Sequence, residues 1–219
     1  MTRSAAIASA LLVALAASPA VAHPHVWIDA RADFIFDRSG RLSALGIRWT
    51  FDEMYSVFTV RGLDKNRDGR LNSDEIAPLI DGMMASLKSY DYFTFMRADG
   101  KTIAFGAPVE AGATFENSTL VFRFTLPLTE SIDARDSDVL FAMYDPSIYV
   151  AIEIANNQSL RLVGVPPVDC SSRIVENRPE IESKSLAEVL VQDLDNSGGG
   201  FPDYAQRVKI SCPASGEKG

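Results

Sequence analysis

The chain has 219 residues and a formal net charge of −8 at pH 7. This acidic balance makes nucleic acid and anionic membranes poor partners, and it makes cations better ones. The length is enough for one sizeable core, or for one domain that carries an insertion.

The first 22 residues have the layout of a secretory signal peptide. Arg3 precedes an apolar run at residues 5–17, and a small-residue pattern at residues 20–22 predicts cleavage after Ala22. The run is too short and too rich in alanine for a membrane span, and no later segment approaches the required length. We therefore expect a periplasmic protein that does not span the membrane, with a single domain over residues 23–219.

Cleavage after Ala22 would make His23 the first residue, with a free α-amine beside its imidazole. His23 and His25 are the two histidines of the chain, and in an extended backbone, which Pro24 favours, they face the same side. Two imidazoles and an amine suit zinc, nickel or copper, although a carboxylate would be needed to complete the site. The first candidates for that carboxylate are Asp29, Asp52, Glu53 and Asp145. The alternative is an exposed, frayed terminus that happens to contain histidines.

An alternation of apolar and polar residues predicts the first strand. Apolar side chains occupy every second position of residues 26–36, which is typical of a half-buried strand. Ser39 and Gly40 form a turn, and residues 42–49 return as a second strand. A helical insertion is then expected at about residues 50–90.

Residues 64–75 read DKNRDGRLNSDE and supply an oxygen ligand at every position that an EF-hand calcium loop requires. Gly69, at position 6, allows the sharp turn, and Glu75, at position 12, can bind with both carboxylate oxygens. The predicted calcium ligands are Asp64, Asn66, Asp68, the backbone carbonyl of Arg70, Asn72 and Glu75. The alternatives are a solvated acidic turn and a loop that has lost its ion.

Helices are expected on both sides of this loop. Thr50 and Glu53 form a predicted capping box before the first helix, and Asn72 and Glu75 form one before the second. The predicted apolar faces comprise Phe51, Met54, Tyr55, Phe58 and Leu63 on the first helix, and Ile76, Leu79, Ile80, Met83, Met84 and Leu87 on the second. Pro78 should kink the second helix, because it removes an amide donor. No second complete calcium loop is found, so the insertion is expected to pack on the rest of the chain.

Several strand-like segments follow the insertion, with turn-forming pairs at positions 99–100, 117–118 and 145–146. This pattern predicts an α+β protein, an antiparallel β-sandwich with an inserted helix-loop-helix EF-hand. Residues 182–194 have the composition of a C-terminal helix. The glycine-rich stretch after them is expected to be a plain loop, because Tyr204 stands where a calcium loop needs glutamate.

Cys170 and Cys212 are the two cysteines of the chain. They are expected to form a disulfide, because an exported protein folds in an oxidising compartment. A bridge that closes a loop of this length is worth about 4 kcal/mol in the chain-entropy treatment. The alternative is a pair of free thiols.

The sequence carries no enzyme motif that we recognise. It lacks a Ser or Cys nucleophile motif with a histidine partner, a phosphate-binding glycine loop and an HExxH motif. A copper centre at His23 could support oxidative chemistry, but the usual second, distant histidine is lacking. We therefore expect a protein without enzymatic activity.

Six segments carry a further signal: HPHVWID, WTFDEMY, DKNRDGRL, SYDYFT, FRFTLPL and YDPSIYV. Together they resemble a bacterial family of uncharacterised periplasmic proteins, commonly described as the periplasmic component of an unassigned ABC-type transport system. The resemblance runs from residue 23 to about residue 165, with a looser match at the two cysteines. It implies transporters of nickel, cobalt or other divalent metals as usual company. The shared functional residues that it implies are His23, His25, Asp52, Glu53, Asp145 and the calcium ligands.

The leading hypothesis is a periplasmic, divalent-metal-binding accessory protein of a metal transport system. Calcium would stabilise its fold, and a histidine-based terminal site would present zinc, nickel or cobalt to an inner-membrane transporter. The alternative hypothesis is a calcium-dependent interaction module that binds a protein partner and no transition metal. Calcium is the expected cofactor in both.

Overall fold

The computed structural model describes residues 25–176 and 201–213. Within these ranges the chain is mostly β-strand with few helices, so the expected α+β class is confirmed. The strands are β1 (Val26–Phe36), β2 (Leu42–Phe51), β3 (Thr94–Ala98), β4 (Lys101–Thr102), β5 (Val109–Glu116), β6 (Thr119–Ile132), β7 (Val139–Met143), β8 (Val150–Glu153), β9 (Leu160–Gly164), β10 (Ser171–Glu176) and β11 (Arg207–Ser211). The helices are α1 (Glu53–Thr59) and α2 (Ser73–Leu87), with short 3-10 segments at Lys88–Phe93 and Asn157–Ser159.

The first sheet has the strand order β5-β6-β2-β1, and both β8 and β9 pair with the free edge of β1. The predicted alternation in β1 is confirmed, since Val26 and Ile28 are buried while Trp27 and Asp29 are exposed. β2 runs antiparallel to β1 after the predicted turn, where Gly40 has a φ of +79°. This positive φ is the conformation for which glycine is best suited.

The first sheet is not purely antiparallel, contrary to the expected antiparallel sandwich. β1 pairs in parallel with β8 through residues 26–29 and with β9 through residues 32–36. Period-two alternation identifies the buried face of a strand, but it carries no information about the direction of the neighbouring strand. The sequence pattern therefore could not distinguish a mixed sheet from an antiparallel one.

The second sheet has the strand order β10-β11-β7-β3-β4. It shares one hydrophobic core with the first sheet, and the rings of Phe34 in β1 and Phe141 in β7 meet edge to face at a centroid distance of 5.3 Å. Trp49 of β2 is buried in the same core, beside Phe93 and Phe122. The two sheets are thus layered around common aromatic side chains, which is a sandwich-like arrangement.

The two helices lie in the expected insertion between β2 and β3. α1 begins after Asp52, whose carboxylate accepts the N–H of Tyr55 at 2.8 Å. The predicted capping box at Thr50 is wrong, because β2 extends beyond its predicted end and Thr50 still pairs within the sheet. α2 begins at the predicted capping box of Asn72 and Glu75, and it continues through Pro78 to Leu87.

The predicted apolar faces of the two helices differ in burial. On α2, Ile76 and Leu87 are buried, and the other predicted residues are partly buried against the core, as expected. On α1 the prediction is partly wrong, because Phe51 belongs to β2 and Met54 and Phe58 are 71% and 74% exposed. Tyr55 is partly buried against the core, as expected. α1 contacts β6, and α2 contacts β5. The insertion therefore packs on the first sheet, but one face of α1 does not.

Cys170 and Cys212 form the predicted disulfide. Cys170 precedes β10 and Cys212 follows β11, so the bridge closes the end of a strand pair that the sequence pattern did not predict. The predicted signal peptide and the predicted helix at residues 182–194 lie outside the described residues. Within the described ranges, no helix has the length and apolar character that a membrane span requires.

Candidate metal sites

The 64–75 loop joins α1 to α2 and folds around its own side chains. Asp64 Oδ2 accepts the backbone N–H of Gly69 at 3.0 Å, and Asn66 Oδ1 accepts that of Asp68 at 2.9 Å. Asp68 Oδ1 accepts the N–H of Arg70 at 2.8 Å. These local bonds bend the backbone into consecutive Asx-type turns. The side chains at loop positions 1, 3 and 5 are therefore all directed at the same short stretch of backbone.

Gly69 supplies the sharp turn predicted at loop position 6. It has a φ of +80°, and a Cβ placed on it would meet no atom within 4 Å. The requirement for glycine is therefore conformational, because space for a side chain is available. Arg67 also has a positive φ, of 60°. Two left-handed residues so close together reverse the chain within the first half of the loop.

Glu75 holds the two ends of the loop together. It is only 5% exposed. Its Oε1 accepts the backbone N–H groups of Lys65 at 2.8 Å and Asn66 at 3.2 Å, and its Oε2 accepts that of Asn72 at 3.1 Å. Asn72 Oδ1 in return accepts the N–H of Glu75 at 3.1 Å. The residue at loop position 12 is thus joined to positions 2, 3 and 9.

These backbone donors hold the pKa of the Glu75 carboxyl below its ordinary value. The bond from Asn72 is the largest cause, burial acts in the opposite direction, and the bonds from Asn66 and Lys65 add to the lowering. Hydrogen bonds to the charged form of a carboxyl favour that form. Glu75 is therefore an anion at neutral pH, which is the state in which a carboxylate binds calcium.

The chemistry of the loop fits calcium, which prefers carboxylate, amide and carbonyl oxygens. All six predicted ligands are among the described residues: Asp64, Asn66, Asp68, Arg70, Asn72 and Glu75. Across residues 25–176 and 201–213, however, no three Asp, Glu, His or Cys side chains form a group that could hold a metal ion. The Glu75 carboxylate is directed at backbone donors instead. The ligand types are thus present in the loop, but its carboxylates do not converge in this geometry.

Of the two histidines, His23 lies outside the described residues and His25 is the first residue within them. His25 is exposed, but its backbone N–H donates to the carbonyl of Tyr149 at 2.9 Å. The two rings lie 4.8 Å apart, centroid to centroid. These contacts attach the beginning of β1 to the residue that precedes β8. The chain is therefore anchored, rather than frayed, at His25.

Two of the candidate carboxylates for a histidine site serve other contacts. Asp52 caps α1, and its Oδ2 also accepts the backbone N–H of Trp27 at 3.0 Å. Asp145 is buried, and its oxygens accept the N–H and hydroxyl of Ser147 and the N–H of Val150. Both carboxylates thus stabilise turns and caps of the scaffold, and neither is grouped with His25 in a metal site.

The other two candidates, Asp29 and Glu53, are exposed. Asp29 is four residues along β1 from His25, which corresponds to about 13 Å in a strand and is too far for a shared ion. Glu53 is the first residue of α1, directly after Asp52, whose backbone N–H donates to the carbonyl of Trp27 at 3.0 Å. The backbone of Glu53 therefore lies near the beginning of β1, which is the end of the strand next to His25. It is the candidate that the backbone geometry favours.

Sequence reasoning missed an exposed apolar face on α1. Met54, Val57 and Phe58 are 71%, 47% and 74% exposed, and they line an open groove with Glu53 and Arg61. Helical spacing predicts burial of such a stripe. A helix of 7 residues has only about two turns, however, and covers little of a sheet. Few residues separate the end of β2 from the 64–75 loop, so only a short helix fits between them. This spacing is the sequence signal that could have revealed the exposed face.

Ser56 determines which side of α1 faces the sheet. It is fully buried. Its hydroxyl donates to the carbonyl of Asp52 at 2.6 Å and accepts the backbone N–H of Leu120 in β6 at 3.0 Å. This bond joins the helix to the strand beneath it. The apolar face of α1 consequently points away from the sheet, on the helix that precedes the 64–75 loop.

Two comparisons with known proteins bear on the chain as a whole. It is 31% identical over 86 residues to an uncharacterized 15.5 kDa protein in the trpE 3' region of Spirochaeta aurantia. The match spans 39% of this chain and 61% of that relative, which is less than two thirds of the relative's length. The sequence profile of a family described as a protein of unknown function, DUF1007, matches residues 8–212, and this range includes the 64–75 loop and both cysteines. The chain therefore belongs to the DUF1007 family of proteins of unknown function.

Proposed function

We propose that this protein is an exported, calcium-dependent interaction module. In this function the 64–75 loop binds calcium, and the exposed face of α1 binds a protein partner. Export is supported by the predicted signal peptide. It is also supported by the disulfide between Cys170 and Cys212, because such bridges persist mainly in oxidising compartments.

The observation that carries this proposal is a complete set of oxygen ligands on a backbone that is already bent. Asp64, Asn66 and Asp68 direct side-chain oxygens at the N–H groups of one turn. Gly69 already has the left-handed conformation that the turn requires. A ligand-binding loop whose shape is formed in advance loses less conformational entropy on binding. The first half of the loop is thus prepared for an ion.

Glu75 would couple the ion to the geometry of α2. Its Oε1 already accepts the N–H groups of Lys65 and Asn66, so an ion held by both carboxylate oxygens would compete with these bonds. Glu75 also completes the capping box at the start of α2. If Glu75 exchanged its backbone N–H donors for calcium, the orientation of α2 relative to the loop would therefore change. In this way calcium binding would alter the conformation of the helical insertion.

The apolar face of α1 is the proposed contact surface. Met54, Val57 and Phe58 are exposed together, and the charged residues Glu53 and Arg61 border them. Contiguous exposed apolar side chains with a polar rim are typical of protein interaction sites. The face ends only a few residues before the loop. A partner segment with apolar side chains, flanked by opposite charges, would suit it.

A calcium titration of EDTA-treated protein, by calorimetry and by thermal unfolding, tests the ion site. Glu75→Gln removes the carboxylate at position 12. Asp74→Asn is the matched control, because Asp74 is adjacent and exposed and occupies a loop position that supplies no ligand. Wild type and Asp74→Asn should gain about 2.7 kcal/mol of stability at a calcium concentration of 100 times Kd. We expect Glu75→Gln to bind at least about tenfold more weakly. Equal calcium affinity in Glu75→Gln and wild type would contradict the proposal.

Fluorescence of an apolar dye tests the contact surface. Calcium should change dye binding to the wild-type protein, and Phe58→Ser should remove most of that change while leaving the calcium affinity intact. Ser86→Ala, an exposed change on α2, should behave as wild type. If calcium does not alter the dye signal, the proposed interaction function is contradicted, and calcium binding alone remains.

The divalent-metal accessory function is the second candidate. It is favoured by the two bonds between Asp52 and Trp27, which bring the start of α1 beside the first residues of β1. In this function His23, His25 and Glu53 would hold zinc, nickel or cobalt for delivery to an inner-membrane transporter. Asp52 and Asp145 are not available for that site without loss of their structural hydrogen bonds.

A further inference from the structure

Three arginines form a row across the outer face of the first sheet. Arg31 of β1 is paired in register with Arg48 of β2, and Arg48 is paired with Arg123 of β6. All three side chains are exposed. Neighbouring strands are about 4.8 Å apart, so the three side chains begin within roughly 10 Å of one another. The register of the sheet therefore concentrates positive charge along one line.

The row of three arginines is electrostatically unfavourable by itself. Like charges directly opposite each other destabilise a sheet, and the chain carries a net charge of −8. Among the described residues, none of the three arginines forms an ion pair or a side-chain hydrogen bond. Arg161, on the same face, is different, because its guanidinium pairs with both carboxylate oxygens of Asp33. A carboxylate therefore neutralises the charge of Arg161, whereas the three arginines of the row have no such partner among the described residues.

The row borders a groove of about 320 Å³, which we call the arginine groove and which Arg31, Arg48, Arg123 and Arg161 line. This volume is near the lower end of the range for small-ligand sites. Gly46, another lining residue, lies two positions from Arg48 on the same face and adds no side chain. Across the sheet, a Cβ on Gly112 would lie 3.3 Å from the Arg123 guanidinium. Small residues thus leave room above the strands.

The two carboxylates of the arginine groove do not neutralise the row. Asp33 is bound by Arg161, and Glu110 Oε2 accepts the hydroxyl of Thr125 at 3.2 Å. Glu110 lies in a register shift of β5 and has a φ of 55°. Such bulges are frequent next to functional sites, where they redirect side chains. Four arginines against two carboxylates leave the groove with an excess of positive charge.

We propose that the arginine groove binds a small oxyanion that carries two or more negative groups, either a polycarboxylate or a phosphate compound. The planar guanidinium donates paired hydrogen bonds that match carboxylate and phosphate oxygens. A single carboxylate can contact only part of a row that extends over roughly 10 Å. A ligand with several anionic groups can contact all three arginines and remove their mutual repulsion. This inference is independent of the calcium loop.

Calorimetry with citrate, pyrophosphate and acetate tests the proposal. Calcium is first removed with an immobilised chelating resin, because citrate and pyrophosphate chelate calcium and would otherwise act through the 64–75 loop. Dissolved EDTA is avoided, because it is itself a polycarboxylate and would compete for the arginine groove. We expect citrate or pyrophosphate to bind at least about tenfold more tightly than acetate, and the affinity to fall as sodium chloride is added. The tighter of the two identifies the ligand as a carboxylate or a phosphate compound. Failure of both to bind overturns the proposal.

Arg48→Gln removes the central charge of the row, and Arg123→Gln repeats the test at its end. Arg38→Gln is the matched control, because it removes the same charge from an exposed turn position between β1 and β2. Arg48→Gln should weaken anion binding by at least about tenfold. Its melting temperature without anion should equal or exceed that of wild type, because a like-charge contact is removed. Unchanged affinity in both row variants, or an equal loss in Arg38→Gln, overturns the proposal.

Discussion

Glu75 Oε1 accepts the backbone N–H of Lys65 at 2.8 Å, which joins the last residue of the 64–75 loop to its second residue. The same carboxylate accepts the N–H of Asn72 at the start of α2. One side chain therefore joins the two ends of the loop, and this closed form depends on the negative charge of that side chain. In the proposed function calcium would use the same oxygens, so the ion would compete with the backbone N–H groups for Glu75.

The stability of the calcium-free protein should depend on the protonation of Glu75. Folding lowers the pKa of this carboxyl, so its contribution is present above the ordinary glutamate pKa and is lost as the pH falls toward the lowered value. Glu75→Gln should therefore be less stable than wild type near pH 7, and the difference should shrink as the pH is lowered from 7 through the ordinary glutamate pKa. Urea unfolding at a series of pH values measures this. A difference that is constant over that range, or that matches the effect of Asp74→Asn, would contradict the assignment.

The same substitution at two glycines should have opposite effects. Gly69→Ala places a Cβ on a residue with a φ of +80°, which should destabilise the protein by about 1 kcal/mol although no atom is in the way. Gly82 lies inside α2, has no atom within 4 Å of a built Cβ and has no positive φ. Gly82→Ala should stabilise by about 0.5–1 kcal/mol. Thermal unfolding of both variants is the measurement, and the same sign at both sites would contradict the conformational explanation.

Strand β1 shows how far local sequence could predict the fold. The alternation of apolar and polar side chains in β1 predicted the buried face correctly, because that pattern depends on the pleat of a single strand. Its parallel pairing with β8 and β9 depends on contacts between residues far apart in the chain. The strand pair β10 and β11 was missed for a related reason, since a disulfide and a distant partner strand β7 support it. Periodicity carries no such long-range information.

The candidate sites show the same limit. The capping box of Asn72 and Glu75 was predicted correctly, because both partners lie within one turn of helix. The predicted N-cap of α1 was Thr50, but the N-cap in the structure is Asp52. The prediction failed because the pairing of Thr50 with Val121 of β6 extends β2. The arginine groove could not be predicted at all. Its residues come from separate strands, and only the register brings them together.

Ser56 should contribute more to stability than an ordinary serine in a helix. Its buried hydroxyl accepts the N–H of Leu120, and Ser56→Ala would remove this partner from a buried donor. We expect a loss of about 1–3 kcal/mol. Ser86→Ala, at an exposed position of α2, should change stability by less than about 0.5 kcal/mol. Urea unfolding compares the two variants, and equal small effects would show that the contact with β6 does not hold α1 in place.

Titration of the processed protein with zinc and nickel separates the two candidate functions. The chain is first sequenced from its N-terminus, to establish that His23 is the first residue. If a histidine site exists, His25→Ala should weaken binding by at least about tenfold, since imidazole is a principal ligand for both metals. Glu53→Gln should weaken it as well, because α1 begins beside the end of β1 that carries His25.

Asp29→Asn is the control for this titration. Asp29 is exposed on the same face of β1, but it lies about 13 Å from His25 along an extended strand, too far to share an ion. We expect Asp29→Asn to bind zinc as wild type does. Zinc and nickel affinities that do not change in His25→Ala would remove the transport-accessory function. The calcium affinity, measured on the same variants, should be unaffected by any of these changes, because the 64–75 loop uses none of the three residues.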